Sequence, residues 1–241
     1  MLFRLKRRLY LAMKKMVNNH PTLKRLNHFR RSVRGASVRG AVSEHGLDTA
    51  QKAVAALEAQ GLEPVLTFGT LLGAVREHNL IDWDNDIDLG IIVDANDTAV
   101  WDRVKEALES AGFPIARQYQ LFGRITEQAY ESDGFSFDMW GLCRMEGTDA
   151  LRAYYHCQVD DADYQSPDDR SVKYIDMPVF TARRMEDVSG YSLPVPGNAE
   201  EMLACVYGPN WATPDPTFVS GTGWILMDGV VERRTVFRDV R

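Results

Sequence analysis

The chain is poor in the residues that mark several common classes of protein. Cysteine occurs three times in 241 residues, at Cys143, Cys157 and Cys205, with no Cys-x-x-Cys pair and no histidine at zinc-finger spacing. A disulfide framework and a structural zinc module are therefore excluded, and a reducing cytoplasm is the expected setting. No run approaches the roughly 18 consecutive apolar residues that a spanning helix needs. The opening stretch MLFRLKRRLYLAMKKMV is interrupted by charges where an export signal would be continuous, so it is not read as one. Acid is missing from the N-terminus altogether. Residues 1 to 43 contain no Asp or Glu but hold 12 of the 28 basic residues. The remaining 16 bases face all 34 acids, so residues 44 to 241 carry about −18. Such an acidic body is a poor match for nucleic acid, where phosphate contacts supply most of the affinity.

What is present divides the chain into a basic arm and linker (1–43) and one domain (44–241), with 45% hydrophobic content to build a core. In the arm, Leu2, Leu5, Leu9, Ala12, Met13 and Met16 recur at spacings of three and four between basic residues. This pattern predicts a cationic amphipathic helix, suited to an anionic membrane surface through residues 1–35, or equally to packing on its own domain or a second subunit. The small residues of SVRGASVRGAVS (32–43) read as a linker. A helix follows from about Glu44 to Gln60 with Leu47, Ala50, Val54 and Leu57 inward, stopped by Gly61. PVLTFGT reads as a short strand ending at Gly69, followed by a short helix through LLGAVRE. A second helix spans about Asp97 to Ser110 with Val100, Val104 and Leu108 buried. The stretch GFSFDMWGL alternates as a half-buried strand offering Asp138 on its polar face. Beyond residue 145 the pattern weakens to shorter strands and loops with one helix near Ala199 to Val206, and DDADYQSPDD reads as a solvated loop.

The most informative segment is IDWDNDIDLGIIV, which places Asp82, Asp84, Asp86 and Asp88 at every second position. In an extended strand these acids share one face and repel, while Ile87, Leu89, Ile91 and Val93 take the other. Two like charges about 4 Å apart cost roughly 4 kcal/mol at the effective dielectric of a protein surface, so something cationic belongs there. Gly69 and Thr70 at a helix start offer backbone N–H groups and a hydroxyl to a phosphate. Asp86 and Asp88, two apart, can share magnesium or manganese, with Asp138 completing the set. An EF-hand is excluded: a loop starting at Asp82 needs Gly and Glu where Ile87 and Val93 stand.

The segment FGTLLGAVREHNLIDWDNDIDL resembles the signature of the LicD and fukutin family. FDMW around Asp138 is similar to that family's second acidic strand, and YGPNWATP to its C-terminal Tyr-Gly-x-x-Trp element. The likeness spans roughly residues 45 to 215 and leaves the arm unmatched. It implies an α+β nucleotidyltransferase fold of the DNA polymerase beta type, a mixed sheet flanked by helices, here with a basic N-terminal helical arm. It further implies transfer of a phosphocholine, phosphoribitol or phosphoglycerol type group from a CDP-activated donor such as CDP-choline to the hydroxyl of a glycan or lipid-linked glycan. CMP would be released, as in cell-surface polysaccharide modification at the inner face of the membrane. Asp86, Asp88 and Asp138 become metal ligands and catalytic acids, and Gly69 with Thr70 the phosphate contact. Asn85 stands where the family often has a third consecutive Asp, on the side away from the metal face. Arg76 is a candidate phosphate clamp or a partner for Asp82 and Asp84. Arg124 is a weaker candidate for substrate contact. Trp83, Trp140, Tyr207 and Trp211 suit stacking on cytosine, enclosing a quaternary ammonium, or packing. Two other readings stay open: nucleotidyl transfer from an NTP to a small acceptor, and a non-catalytic scaffold at a membrane surface.

Overall fold

The computed structural model describes residues 2–19, 21–94, 97, 99–160, 162–215, 218 and 221–238, with side chains in the first two helices described at 3–14 and from 37 onward. The side chains of Leu2 and Met16, and of the bases between 15 and 34, lie outside the described residues. Leu2–Asn19 form α1 and Pro21–Ala59 form α2. The segment read as a linker is thus helical, and the 43/44 boundary falls inside one continuous helix. Val38, Ala41 and Val42 sit at helical spacing and pack on the core, Val42 with 2% exposure. That burial outweighs the glycine penalty of about 1 kcal/mol per residue on which the linker reading rested.

The order continues β1 (Val65–Leu66), α3 (Phe68–Glu77), β2 (Ile87–Val93), α4 (Val100–Ser110), β3 (Ile115–Leu121), β4 (Arg124–Glu131) and β5 (Ser136–Arg144). It closes with β6 (Ala150–Cys157), β7 (Asp169–Pro178), β8 (Arg183–Val188), β9 (Tyr191–Pro196), α5 (Ala199–Tyr207), β10 (Ile225–Arg233) and β11 (Thr235–Val236). The C-terminal third, expected to hold short strands, contributes three long ones, β6, β7 and β10. Asp169 and Pro178 close the ends of β7, and β10 has no buried residue, so no apolar alternation marks it as a strand.

The architecture is α+β, a large and mostly antiparallel sheet with helices against it. The path runs β10-β7-β6-β5-β4-β3-β11, and β2 joins β5 in the sheet's parallel pair, with β1 beyond it. β10 and β11 are separated by Arg234 alone, yet one hydrogen-bonds β7 and the other β3. The path therefore closes on itself as a barrel-like ring. Ile87, Leu89, Ile91 and Val93 of β2 enter one core with Val54 and Leu57 of α2 and Val104 and Leu108 of α4. At Gly90 side chains crowd the strand, since a Cβ there would lie 2.6 Å from Thr67 Cγ2.

The arm docks through its charges. Lys14 Nζ donates to Asp160 at 2.9 Å, Arg4 pairs with Asp163, and Arg7 donates to the carbonyls of Ala162 (2.6 Å) and Val159 (2.8 Å) with its guanidinium over the Tyr164 ring. The acidic loop read as merely solvated is the cradle of α1. Leu5, Leu9 and Met13 are left facing outward at 66%, 62% and 52% exposure.

Candidate active site

The floor of the site is set by strand register. Asp88 of β2 lies beside Asp138 of β5, and Ala129 of β4 lies opposite Asp138. Glu127, two residues before Ala129 and opposite Trp140, shares that face. Sequence and pairing thus bring Asp88, Asp138 and Glu127 to one side of the sheet, with Asp84 and Asp86 entering from the segment before β2. All five line one cleft of about 1040 Å³. Gly69, Arg76, Trp83, Tyr207 and Trp211 contribute to its walls as well.

The helix α3 begins at Phe68, so Gly69 and Thr70 lie in its first turn rather than on a strand end. The Gly69 N–H donates to the Asp88 carboxylate, and Trp140 Nε1 donates to Asp88 Oδ1 at 2.8 Å. A helix N-terminus favours negative charge, so this placement compensates part of the charge on Asp88. A Cβ on Gly69 would collide with the Asp84 carboxylate, which explains glycine at this position. Thr70 is 1% exposed, lies behind the cleft lining and accepts a hydrogen bond from the Asp88 backbone N–H at 2.8 Å. Its expected phosphate contact gives way, in this geometry, to fixing the end of β2.

The carboxylates press on one another. Burial first, then the charges of Asp88, Asp138 and Asp84, push Asp86 up to about 10. Burial raises Asp138 to about 6, opposed by the Arg117 guanidinium. Asp88 and Glu127 are driven well above the usual carboxylate range by burial and then by Asp138. Asp84 is raised by burial, against hydrogen bonds from Asp86 and from the Asn85 N–H. Asp82 and Asn85 are exposed, and Asp82 is not among the lining residues. Arg76 donates to Glu77 at 2.8 Å and to the Trp211 carbonyl at 3.3 Å, while its Nη2 is buried without a partner. It does not pair with Asp82 or Asp84. Arg124 is exposed and outside the cleft.

The residues fit a divalent cation on two grounds. Asp138 Oδ1 is buried with no hydrogen-bond partner, and burial, with repulsion from neighbouring acids added at Asp86, gives these carboxylates high proton affinity. Among the described residues no three His, Cys, Asp or Glu side chains are gathered closely enough to hold an ion alone. That suits magnesium, which is commonly bound by one or two carboxylates together with phosphate oxygens of a ligand.

Aromatic rings flank the acids on both sides. Phe68, Trp140, Tyr155 and Trp224 pack together, with centroids 4.7 Å apart for Phe68 and Trp140 and 5.7 Å for Tyr155 and Trp224. Across the cleft, Tyr207 pairs with Phe218 at 5.2 Å. Of the aromatics singled out in the sequence, Trp140 belongs to the first group and Tyr207 to the second. Phe68, Tyr155, Trp224 and Phe218 were missed, as were Glu127, Tyr119 and His156. Phe68 stands beside Gly69 at the start of α3, within the signature segment, whereas no local motif marks the others, which only the folded chain brings to the cleft.

Fold and cleft together define an α+β protein with an acid-floored, aromatic-walled ligand site. The model of the LicD/FKTN/FKRP nucleotidyltransferase domain matches residues 61–198, more than half of the sequence, and the chain belongs to that family. Curated relatives include the ribitol 5-phosphate transferase FKRP of Homo sapiens, 28% identical over 185 residues, and that of Mus musculus, 27% identical over 191. Each match covers 73% of this chain and 34% of the relative, so the chain spans about a third of the length of these proteins. Among solved structures, ANT(2")-Ia with adenylyl-2"-tobramycin has a TM-score of 0.38 at 13% identity, covering 65% of this chain and 71% of that one. The solution structure of ANT(2'')-Ia has a TM-score of 0.41 at 11% identity, covering 75% and 80%. Among the described residues no helix is long and apolar enough to cross a membrane.

Proposed function

We propose that this chain transfers a phospho-alcohol from a CDP-activated donor to a glycan hydroxyl and releases CMP, on a nucleotidyltransferase fold of the DNA polymerase beta type. The observation that carries this reading is the convergence of Asp86, Asp88 and Asp138 at the strand ends, beside the start of α3 and beneath Arg76. Asp86, Asp88 and Asp138 would hold magnesium or manganese, whose chemistry when bound is to neutralise a diphosphate and its leaving group. Arg76, with one N–H uncommitted, binds a phosphate oxygen. Asp138 or another of the acids would take the proton of the attacking hydroxyl. The names of the FKRP relatives favour ribitol phosphate as the group moved. Three unpaired cysteines accord with a reducing, cytoplasmic setting. The test is a magnesium-dependent turnover screen with CDP-choline, CDP-ribitol and CDP-glycerol and direct detection of CMP. Pyrophosphate released from an NTP instead would assign nucleotidyl transfer, and no turnover with either would leave the scaffold reading.

We also propose that α1 lies on an anionic membrane surface. Its Arg4, Arg7 and Lys14 are engaged by the chain itself, whereas exposed Lys6 and Arg8 flank the outward stripe of Leu5, Leu9 and Met13. Apolar insertion with flanking cations matches such a surface. Flotation with anionic vesicles should be lost in a Leu5→Glu, Leu9→Glu variant. Dimerisation without flotation would assign the stripe to a second copy.

A further inference from the structure

Beside the acids, the same cleft is lined by residues of β5 and β6. These strands pair only at Cys143↔Arg152 and Arg144↔Leu151, and beyond that end they part, with the Trp140 and Tyr155 rings 6.3 Å apart. The opening exposes Glu127, Tyr119 and His156 to the cleft. Glu127 is 5% exposed, and among the described residues what acts on its carboxylate is the charge of Asp138, Asp88 and Arg117 rather than a hydrogen-bond donor. A buried carboxylate without donors costs free energy, so a chain that keeps one is fitted to a ligand that brings them. Around it the supply is mixed. Tyr119 accepts from the Arg234 guanidinium, which leaves its own O–H to donate. His156 stacks on Tyr119 at 5.1 Å, and its Nε2 shares a proton with Thr126 Oγ1 at 2.8 Å. Trp140 and Tyr155 line the same cleft.

We infer that this part of the cleft is the subsite for the transferred alcohol and that it is built for a polyhydroxy chain, with Glu127 accepting from one or two of its hydroxyls and Tyr119 donating to another. The inference rests on the donor chemistry proposed above. A quaternary ammonium has no N–H or O–H to give, so it would leave Glu127 without donors and the Tyr119 hydroxyl without an acceptor. An alditol carries donor and acceptor on every carbon and satisfies both. Its phosphate end then points back toward Asp86, Asp88 and Asp138.

Equilibrium binding with magnesium present separates the parts, with CDP, CDP-ribitol and CDP-choline as probes. The wild-type protein should bind CDP-ribitol about tenfold or more tightly than CDP, as two or three hydrogen bonds allow, and CDP-choline no more tightly than CDP. Glu127→Gln should shrink the CDP-ribitol advantage over CDP to about twofold, and Tyr119→Phe, which deletes one hydroxyl, should shrink it less. In turnover the same change appears as a raised KM for CDP-ribitol. The inference is overturned if Glu127→Gln weakens CDP as much as CDP-ribitol, which would assign Glu127 to the diphosphate. It is overturned equally if CDP-choline gains the same advantage as CDP-ribitol. Failure of every donor to release CMP would defeat the transfer reading instead, while the binding difference still reads the subsite.

Discussion

Two concentrations of acid occur in this molecule, and they are treated in opposite ways. In the loop that cradles α1, each described aspartate has a base: Asp160 with Lys14, Asp163 with Arg4, Asp168 with Arg234 and Asp169 with Arg233. In the cleft, Asp84, Asp86, Asp88, Asp138 and Glu127 crowd together, and the cation acting on Asp138 and Glu127 is Arg117. Asp169 and Asp138 show the difference most sharply. Burial raises Asp169, but Arg233 and the N–H groups of Gln165 and Ser166 outweigh it and hold the carboxyl below its usual range. Asp138 goes up to about 6. Equal chemistry with opposite outcomes separates acids that the chain satisfies for its own stability from acids it leaves for a ligand.

The comparison breaks first at Asp88. Asp88→Ala should lower magnesium-dependent CMP release by about a thousandfold or more, because a ligand and the anchor of the Trp140 and Gly69 donors go together. The thermal midpoint should shift by only a few degrees, since lost hydrogen bonds are offset by relieved repulsion. Activity above a tenth of wild type would remove Asp88 from the site.

Much of this contrast was legible in the sequence. The two-residue period of Asp86 and Asp88 against Ile87 and Leu89 announces a strand with one acidic and one buried edge, and the structure places β2 so. The periodicity of Val100, Val104 and Leu108 announces α4 in the same way. Glu127 was not legible, because in RITEQAYE it is one polar residue among several. Only its register opposite Trp140 and the nearness of Asp138 give it meaning. Nor could the sequence show that Arg4 and Lys14 meet a loop some 150 residues away, since charge composition says how many partners exist and not which ones meet. The ring closure through β10 and β11 was hidden for the same reason: Arg234 alone lies between strands at opposite ends of the path.

Next in size is the satisfied acid. Asp169→Ala would leave the Gln165 and Ser166 N–H groups and Arg233 without their acceptor. The expected cost is about 1–3 kcal/mol of stability, measured by denaturant unfolding, with CMP release per folded molecule unchanged. Acid should also titrate the two carboxylates in opposite senses. The depressed Asp169 contributes stability above its unfolded value and loses it as pH falls. Asp138 holds in the folded state a proton that the unfolded chain releases, so stability declines as pH rises from about 4 to about 6. Without metal, Asp138→Asn should therefore melt several degrees above wild type at pH 7, with the gap closing by pH 4. A gap independent of pH would show that Asp138 is not held protonated in that window.

The smallest effect is expected where charge is best supplied. Lys14 and Asp160 meet at 2.9 Å, but their side chains are 38% and 62% exposed, so water and salt screen the pair. Lys14→Ala should cost at most about 1 kcal/mol, and this difference should fade in high salt. Arg7 has more to lose, because its guanidinium donates to two carbonyls and covers the Tyr164 ring, whose hydroxyl is itself bonded to Ser171 at 2.8 Å. If α1 is held by that shape-specific contact rather than by charge alone, protease protection of the arm should survive both Lys14→Ala and added salt and be lost in Arg7→Ala. Loss of protection in salt alone would reverse the assignment and make the arm's docking as electrostatic as its composition suggests.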